Sequence, residues 1–231
     1  MMAGLAEHDR PGPSAHRAIR LSLALAVFAW LAFALRGARE GFNVRSAHAV
    51  VIDNWAVAFR LHLGLNIRAA SLTCSIAVWT TLIGFATVVL TLLVTRRWGR
   101  AALLVVVAVA SLNLVDHVLK PTIDRRTVAT PASLPGPPVF PSGQATVLGV
   151  LASIALTTRF GPAERRLRQS LRIQIFVTLV LSSAGLVHSG CHYASDVVAG
   201  IAVGVATAEL VLLLVESVRA RRTEQRALQS P

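Results

Sequence analysis

Three short polar stretches interrupt a chain otherwise dominated by apolar runs, and each carries residues able to handle a phosphate group. In Gly190-Cys191-His192-Tyr193-Ala194-Ser195-Asp196, a histidine precedes an aspartate by four residues at the start of an apolar run. On a helix that spacing sets an imidazole beside a carboxylate. The carboxylate fixes the imidazole tautomer and leaves the other ring nitrogen free as base or nucleophile. Asp196 also suits a plainer role, capping the N-terminus of the helix that follows. Upstream, Phe140-Pro141-Ser142-Gly143-Gln144 leads into another apolar run. Such a turn aims backbone N–H groups at whatever lies above the helix start, which makes an anion site. A serine cap is the simpler reading of the same tripeptide. Lys120 lies just past a third apolar run, with Arg125 and Arg126 behind it as candidate bidentate phosphate ligands. It is the only lysine in a chain that otherwise uses arginine, and the two are not interchangeable at a phosphate. His188, four residues before His192, is a candidate auxiliary acid if its helix extends that far.

These residues need elements to hold them, and the composition says which kind. The 231 residues are 54% hydrophobic with mean hydropathy +0.62, too apolar for one soluble domain. Runs near 18–35, 70–94, 101–119, 142–158, 173–189 and 195–215 predict an all-α polytopic membrane bundle of six helices. The fourth run is short. The first is preceded by basic residues and followed by an A-x-A pattern, as in a signal peptide, but it is also long enough to span. Polar tails are expected at 1–17 and 218–231, the first without fixed structure. Within 36–69, Val51, Trp55, Val57, Ala58 and Leu61 fit an interfacial amphipathic helix or a loop packed over the bundle. Prolines crowd 130–141, giving a stiff extended connection that serves as spacer or lid. Glu209 sits inside the last run, where an ionisable group faces the interior or water. The two cysteines, Cys74 and Cys191, do not reveal from sequence whether they pair.

The net charge of +12 points to loops facing an anionic membrane surface rather than to nucleic acid. In the six-span arrangement, fifteen basic residues fall on the side of both termini and eight on the other. The positive-inside rule then puts both termini in the cytoplasm. Lys120, Ser142, His192 and Asp196 all land on the outer face of a cell membrane. The arginine-rich, alanine- and valine-rich usage is associated with GC-rich bacterial genomes.

In this order the motifs resemble the type-2 phosphatidic-acid phosphatase superfamily, membrane relatives of the vanadium haloperoxidases. Its signatures are K-x6-R-P, P-S-G-H and S-R-x5-H-x3-D. Lys120, Pro141, Ser142, Gly143, His192 and Asp196 match; the family arginine falls at Thr127, the histidine at Gln144, and the Ser-Arg pair at Gly185 and Leu186. The resemblance implies that His192 attacks phosphorus to form a phosphohistidine while Asp196 stabilises the imidazolium. It also implies that Lys120, Arg125, Arg126, Ser142, Gly143 and Gln144 surround the phosphate. No metal-ligand set is evident, and the family mechanism is metal-independent, so no cofactor is expected. The expected substrate is a phosphorylated lipid, such as a polyprenyl diphosphate. Glutamine donates a hydrogen bond but not a proton, and with three motif residues missing two rival readings stand beside hydrolysis. One is an impaired relative that binds phospholipid or a partner protein. The other is phosphoryl transfer to an acceptor other than water. The sequence leaves the oligomeric state open.

The topology is testable by cysteine labelling in intact cells. A Ser133→Cys variant is expected to label from outside and Thr223→Cys only after lysis; labelling of both from one side contradicts six spans.

Overall fold

The computed structural model describes residues 13–35, 67–123, 140–157 and 165–229. The interfacial-helix segment at 51–61, Arg125, Arg126, Thr127 and all of the proline-rich connection before Phe140 lie outside the described residues. The regular structure of the described residues is helical: α1 (Pro13–Leu35), α2 (Ile67–Val94), α3 (Trp98–Ile123), α4 (Gly143–Leu156), α5 (Arg165–His188) and α6 (Ala194–Gln229). Each expected run has its helix. Five of the six contain stretches long and apolar enough to cross a bilayer. With 14 residues, α4 is the short one; at 1.5 Å per residue it covers about 21 Å of a hydrocarbon core about 30 Å thick.

In hydrocarbon every polar group needs a partner within the protein. The hydroxyls of Thr80, Thr81, Thr87, Thr91, Ser111 and Thr207 meet this by donating to carbonyls four residues back. Between α2 and α3 the chain reverses through Arg96, whose φ of 56° is left-handed. Its N–H donates to the Leu93 carbonyl, and that of Arg97 to Leu92, so the last carbonyls of α2 are satisfied by a Schellman turn.

Helix α6 is the most enclosed of the five long helices and packs chiefly on α4 and α1. The α4–α6 contact is backbone against backbone. A methyl group on Gly204 would overlap the Thr146 carbonyl, one on Gly200 the Ser142 carbonyl, and one on Gly149 the Ile201 carbonyl. Gly200 and Gly204 form a small-xxx-small stripe, the arrangement that lets membrane helices approach most closely. A second seam joins α2 to α5, where Gly84 meets Thr178 and Gly185 meets Ala77. At the end of the bundle remote from the polar motifs, Val88, Leu92, Leu104, Val150, Leu151 and Ile175 interlock with Leu212.

Helix α1 is held along α6 by charge. The Arg20 guanidinium donates to both Glu209 oxygens at 2.8 and 3.2 Å, and the Ser153 hydroxyl of α4 donates to Glu209 at 2.7 Å. One turn earlier on α1, Arg17 pairs with Glu216 at 3.2 Å. Glu209 is fully buried, as its place in an apolar run required. Removing one partner of such a pair strands a buried charge, at a cost of roughly 3–5 kcal/mol. These pairs also correct the expected boundaries. Residues 1–17 were expected to lack fixed structure, yet α1 begins at Pro13, and the buried Arg17 side chain meets the half-buried Glu216. The tail expected at 218–231 is helical to Gln229.

The glycine seam yields a matched test. Gly204→Ala is expected to destabilise the detergent-solubilised protein by about 1–3 kcal/mol through overpacking. Gly99→Ala, whose added methyl meets nothing within 4 Å, is expected to stay within about 0.5 kcal/mol. Equal melting temperatures for the two variants would contradict the close α4–α6 contact.

Candidate active site at one end of the bundle

Because the helices alternate in direction, the end of α3, the starts of α4 and α6 and the end of α5 gather on one side. Specific contacts tie them together. The Ser142 N–H donates to the Asp196 carbonyl at 3.0 Å, joining the first residues of α4 and α6. Gly200, one turn further along α6, lies directly on the Ser142 carbonyl. The turn before α4 is anchored by Phe140, fully buried against Phe28, Leu31 and Leu35 of α1 and Ala199 of α6. The Phe28 and Phe140 rings stack with centroids 6.3 Å apart, and the Phe140–Pro141 peptide is cis.

At the α4 start, Ser142 is the N-cap and its hydroxyl accepts from the Ala145 N–H at 3.3 Å. The N–H groups of Gly143 and Gln144 are first-turn donors with no intrahelical acceptor. They are the amides such a turn offers to an anion. Gln144 is half-buried in the same turn.

Lys120 follows a π-helical turn, Val115–Leu119, near the end of α3. Its ammonium pairs with Asp116 Oδ1 at 2.6 Å. The same carboxylate oxygen lies 3.9 Å from where a side chain on Gly143 would begin, and Leu112 closes in at 3.3 Å. Asp116 thus places the lysine beside the start of α4. A glycine is what leaves that approach open.

The third stretch leaves α5 at His188 and turns through Ser189 and Gly190. Gly190 has φ 73°, a conformation that glycine adopts without strain. The Cys191 N–H donates to the Ser189 hydroxyl and the His192 N–H to the Leu186 carbonyl, both at 3.3 Å. His192 Nδ1 lies 3.7 Å from Asp196 Oδ2, with the carboxylate fully buried and the imidazole largely so. Nδ1 makes no hydrogen bond among the described residues. The other Asp196 role is present as well: Oδ2 accepts from the Tyr193 N–H at 2.9 Å, capping α6 from its third residue.

Two sequence arguments change in the light of this geometry. Helix α5 stops at His188, so the helical four-residue spacing offered for His188 and His192 does not apply across the turn. Leu186 is fully buried with Ala77, Ala145 and Val197. The position that the resemblance assigns to a phosphate-binding arginine is a core position here. The structure also answers what the cysteine count left open: Cys74 of α2 and Cys191 form a disulfide across 117 residues, with Cα atoms 6.4 Å apart. The pairing of Asp116 with Lys120 was not read from the sequence, although their i,i+4 spacing is a signal that could have found it. The approach of Asp116 to Gly143 had no such signal.

A family model described as PAP2 superfamily matches residues 101–219, which contain all three polar stretches. No curated protein gives a significant match to the chain. Among solved structures, the chain is similar to a transmembrane PAP2 type phosphatidylglycerolphosphate phosphatase from Bacillus subtilis. The two share 21% sequence identity, with 84% of this chain and 96% of that one covered and a TM-score of 0.58. At that identity the likeness speaks for the fold.

Proposed function

The chain belongs to the PAP2 superfamily, and from that premise we propose that it hydrolyses a lipid diphosphate at the outer face of the membrane. The observation that carries this reading is the Ser142–Asp196 backbone hydrogen bond, which joins the anion-binding turn to the helix bearing the histidine partner. In the proposed reaction His192 Nε2 attacks the terminal phosphorus. A lipid monophosphate leaves, and the phosphoryl group stays on the imidazole. Asp196, facing Nδ1, stabilises the imidazolium. Lys120 and the Gly143 and Gln144 amides hold the phosphoryl oxygens as charge builds on them. Arg125 and Arg126 are proposed to join them. Water then resolves the phosphohistidine.

Gln144 argues for the diphosphate. A monoester must expel an alkoxide, whose conjugate acid is about as weak an acid as water. A diphosphate expels a phosphate monoester whose last proton has a pKa of about 6, so little proton donation is needed. The similar Bacillus subtilis protein is named a phosphatidylglycerolphosphate phosphatase; Gln144, where the family signature has histidine, is the ground for proposing a different substrate here. A polyprenyl diphosphate suits the lipid-facing apolar helices. The outer face is supported by the distribution of arginines and by the disulfide beside His192, since such bonds persist in oxidising compartments. One rival has specific support. With Leu186 in the core and Gln144 unable to act as an acid, a binding protein without turnover would keep the same anion cradle.

The test is phosphate release from matched lipid mono- and diphosphates by purified native, His192→Ala and Gln144→His proteins. Native protein is expected to favour the diphosphate, and His192→Ala to be inactive. Gln144→His is expected to speed monophosphate cleavage more than diphosphate cleavage, with general-acid gains of about 10²–10⁴-fold on the poor leaving group. A ratio of kcat/KM values unchanged by Gln144→His would remove the leaving-group argument. Absence of turnover on every lipid would favour the binding reading.

A further inference from the structure

We propose that the Cys74–Cys191 disulfide is a positioning bond for His192, so that full activity depends on its oxidation. The proposal rests on the reading of His192 as the nucleophile. The turn that carries His192 is held more closely at its ends than at its middle. The Ser189, Gly190 and Tyr193 N–H groups fix its two ends at 2.9, 3.0 and 2.9 Å, while at its middle Cys191 N–H to Ser189 and His192 N–H to the Leu186 carbonyl are longer, at 3.3 Å. The imidazole has no hydrogen bond at Nδ1, and its carboxylate partner is 3.7 Å away. With no hydrogen bond at Nδ1, the ring depends on the backbone at Cys191 and His192 for its position. Cys191, its immediate neighbour, is covalently pinned to α2.

The bond continues a seam that already exists. Down the α2–α5 contact, Gly84 lies on Thr178 and Gly185 on Ala77. Cys74 is about one helical turn beyond Ala77 on α2, and Cys191 follows the end of α5. Once those two helices meet, the cysteines face each other at the outermost point of the seam. In this way α2, which carries none of the three polar motifs, is joined directly to the site. Catalytic groups must be held within roughly 0.5 Å of productive geometry. Displacement by about 1 Å can cost about 10²-fold in rate. Release of the bond would leave the lysine and the α4 amides in place, so the chemical step should suffer more than binding.

The experiment compares purified full-length protein before and after dithiothreitol, which reduces the bond to two thiols as it cyclises to its own disulfide. A Cys74→Ser variant provides the same comparison without reductant. Peptide mass spectrometry under non-reducing conditions should find Cys74 joined to Cys191. Reduction should speed hydrogen exchange in the segment 189–193 by about tenfold. It should also lower kcat on a lipid diphosphate by about 10²-fold while changing KM by less than about threefold. Reoxidation should restore both, which unfolding would not allow. Free thiols in the untreated protein, or exchange and kcat unchanged by reduction, would overturn the proposal. If the oxidised protein turns over no lipid, the hydrolase reading fails, and the exchange measurement still decides whether the bond holds the His192 turn.

Discussion

The contact on which the rest depends is the approach of α4 to α6 without side chains between them. In lipid the hydrophobic effect does not drive helices together, so association comes from packing and polar contacts. Gly149, Gly200 and Gly204 let the two backbones touch, and carbonyl oxygens of one helix occupy space that a methyl group on the other would need. The same approach allows the Ser142 N–H to reach the Asp196 carbonyl. An anion-binding helix start and a histidine–aspartate pair therefore share one end of the bundle because of a glycine stripe some way beneath them.

The two ends of the bundle use polar groups differently. At the end remote from the motifs, Glu209 is saturated by Arg20 and Ser153, and Arg17 is tied to Glu216. Those charges bind α1 to the core. At the other end, Nδ1 of His192 has no hydrogen bond among the described residues, and the first amides of α4 have no intrahelical acceptor. Helix α1 connects the two regions. Clamped by its arginines below, it presents Phe28 and Leu31 above to the Phe140 that seats the Ser142 turn.

Much of this was legible in the sequence, for physical reasons. Twenty apolar residues in a row have few alternatives to a membrane helix, so all six helices were visible as runs. Their ends were less visible. Arg17 looks like a solvated tail residue until Glu216, about two hundred positions away, is brought beside it, and α5 begins among arginines that hydropathy alone excludes. In the site, His192 and Asp196 were marked by their spacing, whereas Asp116 beside Lys120 was not read from it. Contacts between distant segments left no local trace. The Cys74–Cys191 bond, the approach of Asp116 to Gly143 and the core position of Leu186 depend on how helices pack. Arg125 and Arg126 lie outside the described residues.

The central claim is that His192 carries the phosphoryl group. The most direct measurement is a rapid quench of native protein mixed with a lipid diphosphate labelled in its terminal phosphate, followed by mass spectrometry of the peptide containing His192. The account predicts a phosphoryl group on His192, stable in base and lost in acid, that forms before free phosphate appears. Turnover with no label on His192, or with label on another residue, would contradict it.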